Sequence, residues 1–213
     1  MRSGGAKTVG TAAPMKTYKA FYTGGLKDGK QDGEGKETYT DGTKYSGSYS
    51  EGLRHGKGEM TWTDGSAFDG QWVNDKREGK GTWKLKNGST YTGDWKDDSP
   101  NGQGTFTWKT GEVYEGQFLN GARHGRGTNK YADGAVYEGS WKANTRHGNG
   151  KHLTYHGEVH EGDWENDKLS KGLLLAPNGT RFDGDWEKNS FKKGKGIELY
   201  ANGDIYEGDF EDC

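Results

Sequence analysis

The stretch YSGSYSEGLRHGKGEMTWTDGSA, residues 45–67, decides how this chain is read. Tyr45, Gly47 and Tyr49 alternate with Ser46, Ser48 and Ser50, which is the two-residue period of a strand. Gly52 follows, a residue at ease with positive φ, and predicts a left-handed turn. His55-Gly56-Lys57-Gly58 leads into a second extended run, Glu59-Met60-Thr61-Trp62-Thr63. That run ends at Asp64-Gly65, a pair that signals a hairpin when it stands between extended stretches. These 23 residues predict one β-hairpin and no helix.

The unit recurs along almost the whole chain. Its first position holds Tyr22, Tyr45, Phe68, Tyr91, Tyr114, Tyr137 and His160, then Phe182 after a one-residue deletion and Tyr206 after a one-residue insertion. Two residues later stands Gly every time, from Gly24 to Gly208. Two further on stands a large apolar residue: Leu26, Tyr49, Trp72, Trp95, Phe118, Trp141, Trp164, Trp186 and Phe210. The turn position that follows holds only Gly, Asp or Asn in all eight repeats that reach it. The second glycine of the Gly-x-Gly pair is present in all eight, and the first fails once, at Ser170. Successive hairpins then form a meander. A three-residue, bulged loop at Asp64-Gly65 is expected to align Trp62 with Phe68 and gather the rings on one face.

Composition fits no aliphatic globular core. Leu, Ile, Val and Phe together make only 24 of 213 residues, while Gly numbers 39, Tyr 12 and Trp 8. So low an aliphatic share flags disorder, but a net charge of −2 and many aromatics argue against it. The glycine between each Tyr and Trp leaves room for rings to lie over backbone. A ladder of rings on one sheet takes the place of the core, at about 0.2–1 kcal/mol per cross-strand pair. Two strands per repeat give about 9.6 Å of advance.

The pattern Tyr-x-Gly-x-Trp-x-x-Gly-x-x-His-Gly-x-Gly followed by Asp-Gly resembles the MORN repeat. The resemblance spans Tyr22 to Phe210, eight repeats and the leading strand of a ninth. It implies an all-β fold: an elongated, single-layer, twisted antiparallel meander over residues 22–213. Residues 1–21, with four basic residues and no acid, form a leader expected to be partly disordered. MORN arrays hold other proteins, and a chain that is nearly all MORN repeats is similar to the MORN subunits of the ciliary radial spoke head. The resemblance implies a structural scaffold in the ciliary axoneme rather than an enzyme.

Two surfaces are candidates for partners. The first is an aromatic groove along Tyr49, Trp72, Trp95, Phe118, Trp141, Trp164 and Trp186, since a one-layer sheet has no second layer to cover its rings. The second is an acidic face formed by Glu161, Asp163, Glu165, Asp183, Asp185, Glu187, Glu207, Asp209 and Glu211. Residues 158–213 carry a net charge of −7 inside a chain whose total is −2. The last strand, Tyr206–Phe210, offers an edge for strand addition or homodimerisation.

No residue set points to catalysis, a cofactor, a metal or nucleic acid. His55, His124 and His147 share a repeat position with Asp32, Glu78 and Asn101, which marks a turn. His152, His156 and His160 have four-residue spacing, which suits a metal on a helix and need not converge on strands. Gly33-Glu34-Gly35 lacks the strand–loop–helix setting of a dinucleotide site. Asn87-Gly88-Ser89 and Asn178-Gly179-Thr180 read as turns rather than glycosylation sites. The start of the sequence lacks an apolar signal region, and Cys213 is the single cysteine, so a reducing, cytoplasmic setting is expected. An alternative stays open: peripheral binding to anionic phospholipids through the loop cations Arg54, Lys57, Arg77, Arg123, Arg126, Arg146, Lys192, Lys193 and Lys195.

Overall fold

The computed structural model describes residues 20–187, 190–200 and 202–212. The leader expected at 1–21 therefore lies outside the described residues, except that Ala20 and Phe21 open the first strand. The strands are β1 (Ala20–Lys27), β2 (Lys30–Tyr39), β3 (Lys44–Ser50), β4 (Leu53–Thr61), β5 (Ala67–Val73), β6 (Lys76–Lys84), β7 (Thr90–Lys96), β8 (Ser99–Thr107) and β9 (Val113–Leu119). They continue with β10 (Ala122–Lys130), β11 (Val136–Lys142), β12 (Thr145–Leu153), β13 (Val159–Glu165), β14 (Lys168–Leu175), β15 (Arg181–Glu187), β16 (Ser190–Leu199) and β17 (Ile205–Glu211). All seventeen belong to one open antiparallel sheet, with no helix among the described residues. The described residues fall into two compact units, an N-terminal one within residues 20–110 and 118–122 and a C-terminal one within residues 111–117 and 123–212.

The N-terminal unit shows how one repeat is built; its residues are numbered here from the ring at position 1. Within the β3–β4 hairpin Ser50 pairs with Leu53, so the turn has two residues, Glu51 and Gly52, with φ of 51° and 88°. Asn74 and Asp75 repeat the arrangement at 49° and 68°. Two left-handed residues rather than one make this a type I′ turn, whose twist matches that of the strands it joins. Gly47 pairs with Gly58 and Tyr49 with Arg54, so Ser48 alone faces His55, Gly56 and Lys57. This bulge is the reason for the His-Gly-x-Gly element: Gly56 sits at φ 82°.

The second connection is the expected three-residue bulged loop with a corrected register. The Trp62 amide donates to the Ser66 carbonyl at 2.9 Å, and the Gly65 amide donates back to the Trp62 carbonyl at 3.0 Å. Phe68 consequently stands opposite Met60, not Trp62. The bulge shortens one side by a residue in the direction opposite to the one expected. Parity is kept, so Met60, Trp62 and Phe68 still share a face.

Rings form the core. Tyr22, Tyr49, Tyr45, Trp72, Phe68, Trp95, Tyr91 and Phe118 make a continuous zigzag of edge-to-face contacts, with centroids 5.0–5.5 Å apart and planes at 78–89°. Such pairs contribute about 0.5–1.5 kcal/mol each beyond the area they bury. Each position-1 ring lies over paired glycines: a Cβ on Gly58 would stand 2.6 Å from Cε2 of Tyr45.

In the C-terminal unit the ladder runs Tyr114, Trp141, Tyr137 and Trp164, at 5.1–5.5 Å. It then changes character. His152 and His160 take ring places, 6.0 Å apart, and Leu169 is buried opposite Trp164. In β13–β14 Asp163 pairs with Lys171 and Trp164 with Leu169, leaving only Ser170 in the bulge. The missing residue of this repeat is thus taken from the bulge, and both strands keep their pairing. In β16 the glycine role is divided, since Gly194 pairs with Gly184 and Gly196 with Gly208.

Candidate interaction surfaces

The seven residues assigned to an aromatic groove lie beneath the surface. Tyr49, Trp72, Trp95, Phe118, Trp141, Trp164 and Trp186 are only 3–9% exposed. Their polar ends are used internally. Trp72, Trp95, Trp141, Trp164 and Trp186 each donate the indole N–H to the carbonyl of a glycine fourteen residues earlier, at 2.8–3.2 Å. Tyr49 donates its hydroxyl to Glu37 at 3.2 Å, and burial pushes its pKa well above the usual phenol range. Burial likewise pushes Tyr45 up to about 12, against the lowering effect of Arg54. Phenolate is excluded here at any physiological pH.

What covers these rings is cationic. Arg54, Arg77, Arg123 and Arg146 occupy position 10, the second residue of an even-numbered strand, and point onto the ring face. Their guanidinium carbons lie 4.2–4.5 Å from the centroids of Trp72, Trp95, Trp141 and Trp164 in the following repeat. The turn residue of that repeat completes the clasp. Asp75 Oδ1 accepts from the Arg54 backbone amide at 3.0 Å and from its Nε at 2.8 Å, and the Asp75 carbonyl accepts from Nη2 at 3.1 Å. Asp98 serves Arg77 and Asp167 serves Arg146 in the same way. Asn144 provides the backbone part for Arg123, whose Nη1 donates to Asn129 at 2.9 Å. Burial pushes the Arg77 guanidinium below its usual value, opposed by Asp98.

Of the nine loop cations expected to meet lipid headgroups, Arg54 and Arg77 are therefore core residues, and Arg123 and Arg146 are half-buried on the same face. Arg54 and Arg77 are 3% and 1% exposed. The type I′ turn is the physical reason. It is so short that position 10 already belongs to the strand, with its side chain on the ring face. The composition of that position held the signal: buried Pro100, Leu169 and Phe191 stand where other repeats place Arg.

Other large apolar side chains on this face do reach solvent. Trp62, Leu85 and Trp108, at position 18 of successive repeats, are half-buried, as is Trp83 at position 16. Sequence reasoning placed Trp62 on a strand but assigned none of these four to a surface. The signal was again positional, an apolar residue two places ahead of the Asp64-Gly65, Asn87-Gly88 and Thr110-Gly111 loops.

On the opposite face of the C-terminal unit, eight of the nine acids are exposed and Asp185 is half-buried. They are interleaved with lysines rather than massed. Lys171 stands in register between Asp163 and Asp185, Lys193 between Asp185 and Glu211, and Lys195 between Asp183 and Asp209. Lys151 reaches Glu161 at 3.2 Å and Arg181 reaches Asp183 at 3.4 Å. The three clustered histidines separate: His156 stacks on Tyr155 while His152 and His160 face each other. No group of three metal-ligating side chains assembles among the described residues.

Comparison with known families matches the MORN repeat eight times, at residues 22–44, 45–67, 68–90, 91–113, 114–136, 137–153, 160–181 and 182–205. The chain belongs to the MORN-repeat family. No curated protein matches significantly. Among solved structures, the Drosophila melanogaster SAS-4 (dCPAP) TCP domain, in complex with a proline-rich motif of Ana2 (dSTIL), is 12% identical. It covers 93% of this chain and 97% of that one, with a TM-score of 0.42. The TCP10 domain of Danio rerio CPAP, in complex with a STIL peptide, is also 12% identical, with 88% and 82% coverage and a TM-score of 0.44. Scores of this size carry no functional argument.

The MORN match and the hairpins coincide. The segment 45–67 contains β3, the type I′ turn, β4 and the Asp-Gly loop. The match pauses between 153 and 160, where Thr154 and the stacked Tyr155 and His156 form the loop. This MORN array thus departs from its own pattern next to the place where histidines replace rings.

Proposed function

We propose that this MORN protein is a non-enzymatic scaffold, a structural subunit of the radial spoke head in the axoneme of motile cilia and flagella. One observation supports the scaffold part of the reading: eight repeats extend over residues 22–205, with buried rings and clasped guanidiniums as their interior. The polar groups of that interior hold the array together, and what is offered outward is surface for partners. The alternating rows of Asp163, Lys171, Asp185, Lys193 and Glu211 suit subunits with a complementary charge pattern, because mismatched rows bring like charges together. The edge strand β17, with Ile205 67% and Tyr206 47% exposed, supplies backbone groups for strand addition by a neighbouring subunit or a second copy.

The test is affinity purification of the native protein from isolated axonemes. Stoichiometric recovery with spoke-head subunits is expected, and recovery as a lone monomer overturns the assignment. Co-sedimentation with vesicles of phosphatidylserine at physiological salt is expected to be weak, because Arg54, Arg77, Arg123 and Arg146 are engaged internally. Strong sedimentation lost on replacing Lys57, Lys192, Lys193 and Lys195 would favour a membrane-bound role instead.

A further inference from the structure

On the ring face of the N-terminal unit, the row Trp62, Leu85 and Trp108, with Trp83 beside it, is left only half covered. The indole N–H groups of Trp72 and Trp95 are bonded to Gly58 and Gly81, whereas those of Trp62 and Trp83 meet no acceptor among the described residues. Lys86 and Lys109 stand next to Leu85 and Trp108 in the loops, and neither makes an ion pair among the described residues. The carboxylate of the neighbouring loop, Asp64, is held by the Ser66 amide at 2.9 Å and hydroxyl at 2.6 Å, which lower its pKa with a smaller contribution from the charge of Lys86. Behind Trp83 lies Arg77, its guanidinium carbon 5.3 Å from the ring centroid and its Nη1 without a hydrogen-bond partner. Rings, free donors and positive charge thus meet along one line.

The spacing of that line selects a conformation. Position 18 recurs every two strands, about 9.6 Å. A polyproline II segment returns to the same face every third residue, after about 9.3 Å. An extended strand presents its third residue to the opposite side, and seven residues of helix overshoot at about 10.5 Å. Polyproline II also leaves its carbonyls unbonded, available to indole donors.

We propose that Trp62, Trp83, Leu85 and Trp108 bind an acidic, proline-rich segment of a partner protein in the polyproline II conformation. Every third residue seats between the rings, backbone carbonyls accept from Trp62 and Trp83, and carboxylates meet Lys86 and Lys109. This rests on the protein-interaction reading above and gives it a ligand chemistry.

The test titrates the full chain with nine-residue peptides, followed by tryptophan fluorescence and calorimetry. The peptide (Pro-Pro-Glu)3 is expected to bind at least about tenfold more tightly than (Pro-Pro-Lys)3 or (Gly-Gly-Glu)3. Trp62→Ala is expected to weaken it about tenfold or more. The double variant Lys86→Glu/Lys109→Glu changes only loop side chains; it should lose the acidic peptide and prefer the basic one, with an unchanged circular dichroism spectrum. Absence of binding, equal binding of the three peptides, or binding indifferent to the lysine reversal overturns the proposal. Native complexes that survive the lysine reversal would leave the scaffold reading standing while this site falls.

Discussion

The guanidinium carbon of Arg77 lies 4.3 Å from the ring centroid of Trp95, eighteen residues ahead in the next repeat. Stacking of this kind contributes about 2 kcal/mol when desolvated, but the charge must first leave water, at a cost that can exceed the gain. Leu169 and Phe191 fill the same repeat position as Arg77, buried and without charge. Arg77→Leu is therefore expected to change stability by less than about 1.5 kcal/mol. Arg77→Ala opens a cavity and should cost about 3 kcal/mol. Urea unfolding of both variants checks the order, and a leucine variant as unstable as the alanine one would show the cation to be indispensable.

The partner of that guanidinium answers differently. Asp98→Ala leaves the buried charge without its carboxylate and puts a side chain with no capping oxygen at φ 65°. A loss of about 2–3 kcal/mol is expected, below the full range for buried pairs because Asp98 is 44% exposed. Asp98→Asn should be far milder, since Asn144 holds the Arg123 amide at 2.8 Å from the same position. Comparing the two melting temperatures separates the backbone part of the clasp from its charge.

Two glycines with different reasons to be glycine give a paired prediction. At Gly58 an added methyl meets the Tyr45 ring and the overpacking should cost about 3 kcal/mol. At Gly65 nothing lies within 4 Å, and only the φ of 85° opposes alanine, at about 1 kcal/mol. Equal denaturation midpoints for Gly58→Ala and Gly65→Ala would contradict a core made of rings lying on backbone.

Trp141→Phe keeps a ring but loses the bond to the Gly127 carbonyl, 3.0 Å long. Phe118 already occupies this repeat position. A cost near 1 kcal/mol is expected, against about 3–5 kcal/mol for Trp141→Ala. Chemical denaturation followed by circular dichroism distinguishes them.

His152 carries a pH dependence. Burial, with Arg146 and His160 nearby, lowers its pKa from 6.5 to about 4. The unfolded chain then takes up the proton first, so this group's contribution to stability falls as pH drops from about 6.5 to about 4, and no further below. Melting temperatures at pH 7 and pH 5 should differ more for the unaltered chain than for His152→Asn, a residue that Asn129 already supplies at the same place in the array. An identical pH dependence in the two would assign the acid sensitivity elsewhere.

The fold was legible because it is written eight times. Tyr45, Gly47, Tyr49 and the Asp64-Gly65 loop show strand, spacing and turn, and repetition separates signal from accident. The site was harder. Arg54 and Arg77 read as loop cations because one turn residue was expected where two in succession are left-handed, moving position 10 into the strand. Trp72 and Trp95 read as exposed because a single-layer sheet seemed to lack a cover, and the cover comes from side chains of the preceding repeat. The placement of Phe68 against Met60 depended on which strand carried the extra residue, which sequence alone left undetermined.

Because Arg54 closes over Trp72 and Asp75, and Arg77 over Trp95 and Asp98, each repeat is finished only by its successor. These two junctions are interchangeable. Removing one whole 23-residue period between them would bring Arg54 against Trp95 and Asp98, an equivalent match. Loss of any other number of residues would face a guanidinium with the wrong neighbours. Such an architecture can be lengthened or shortened in whole 23-residue steps without disturbing the junctions that remain.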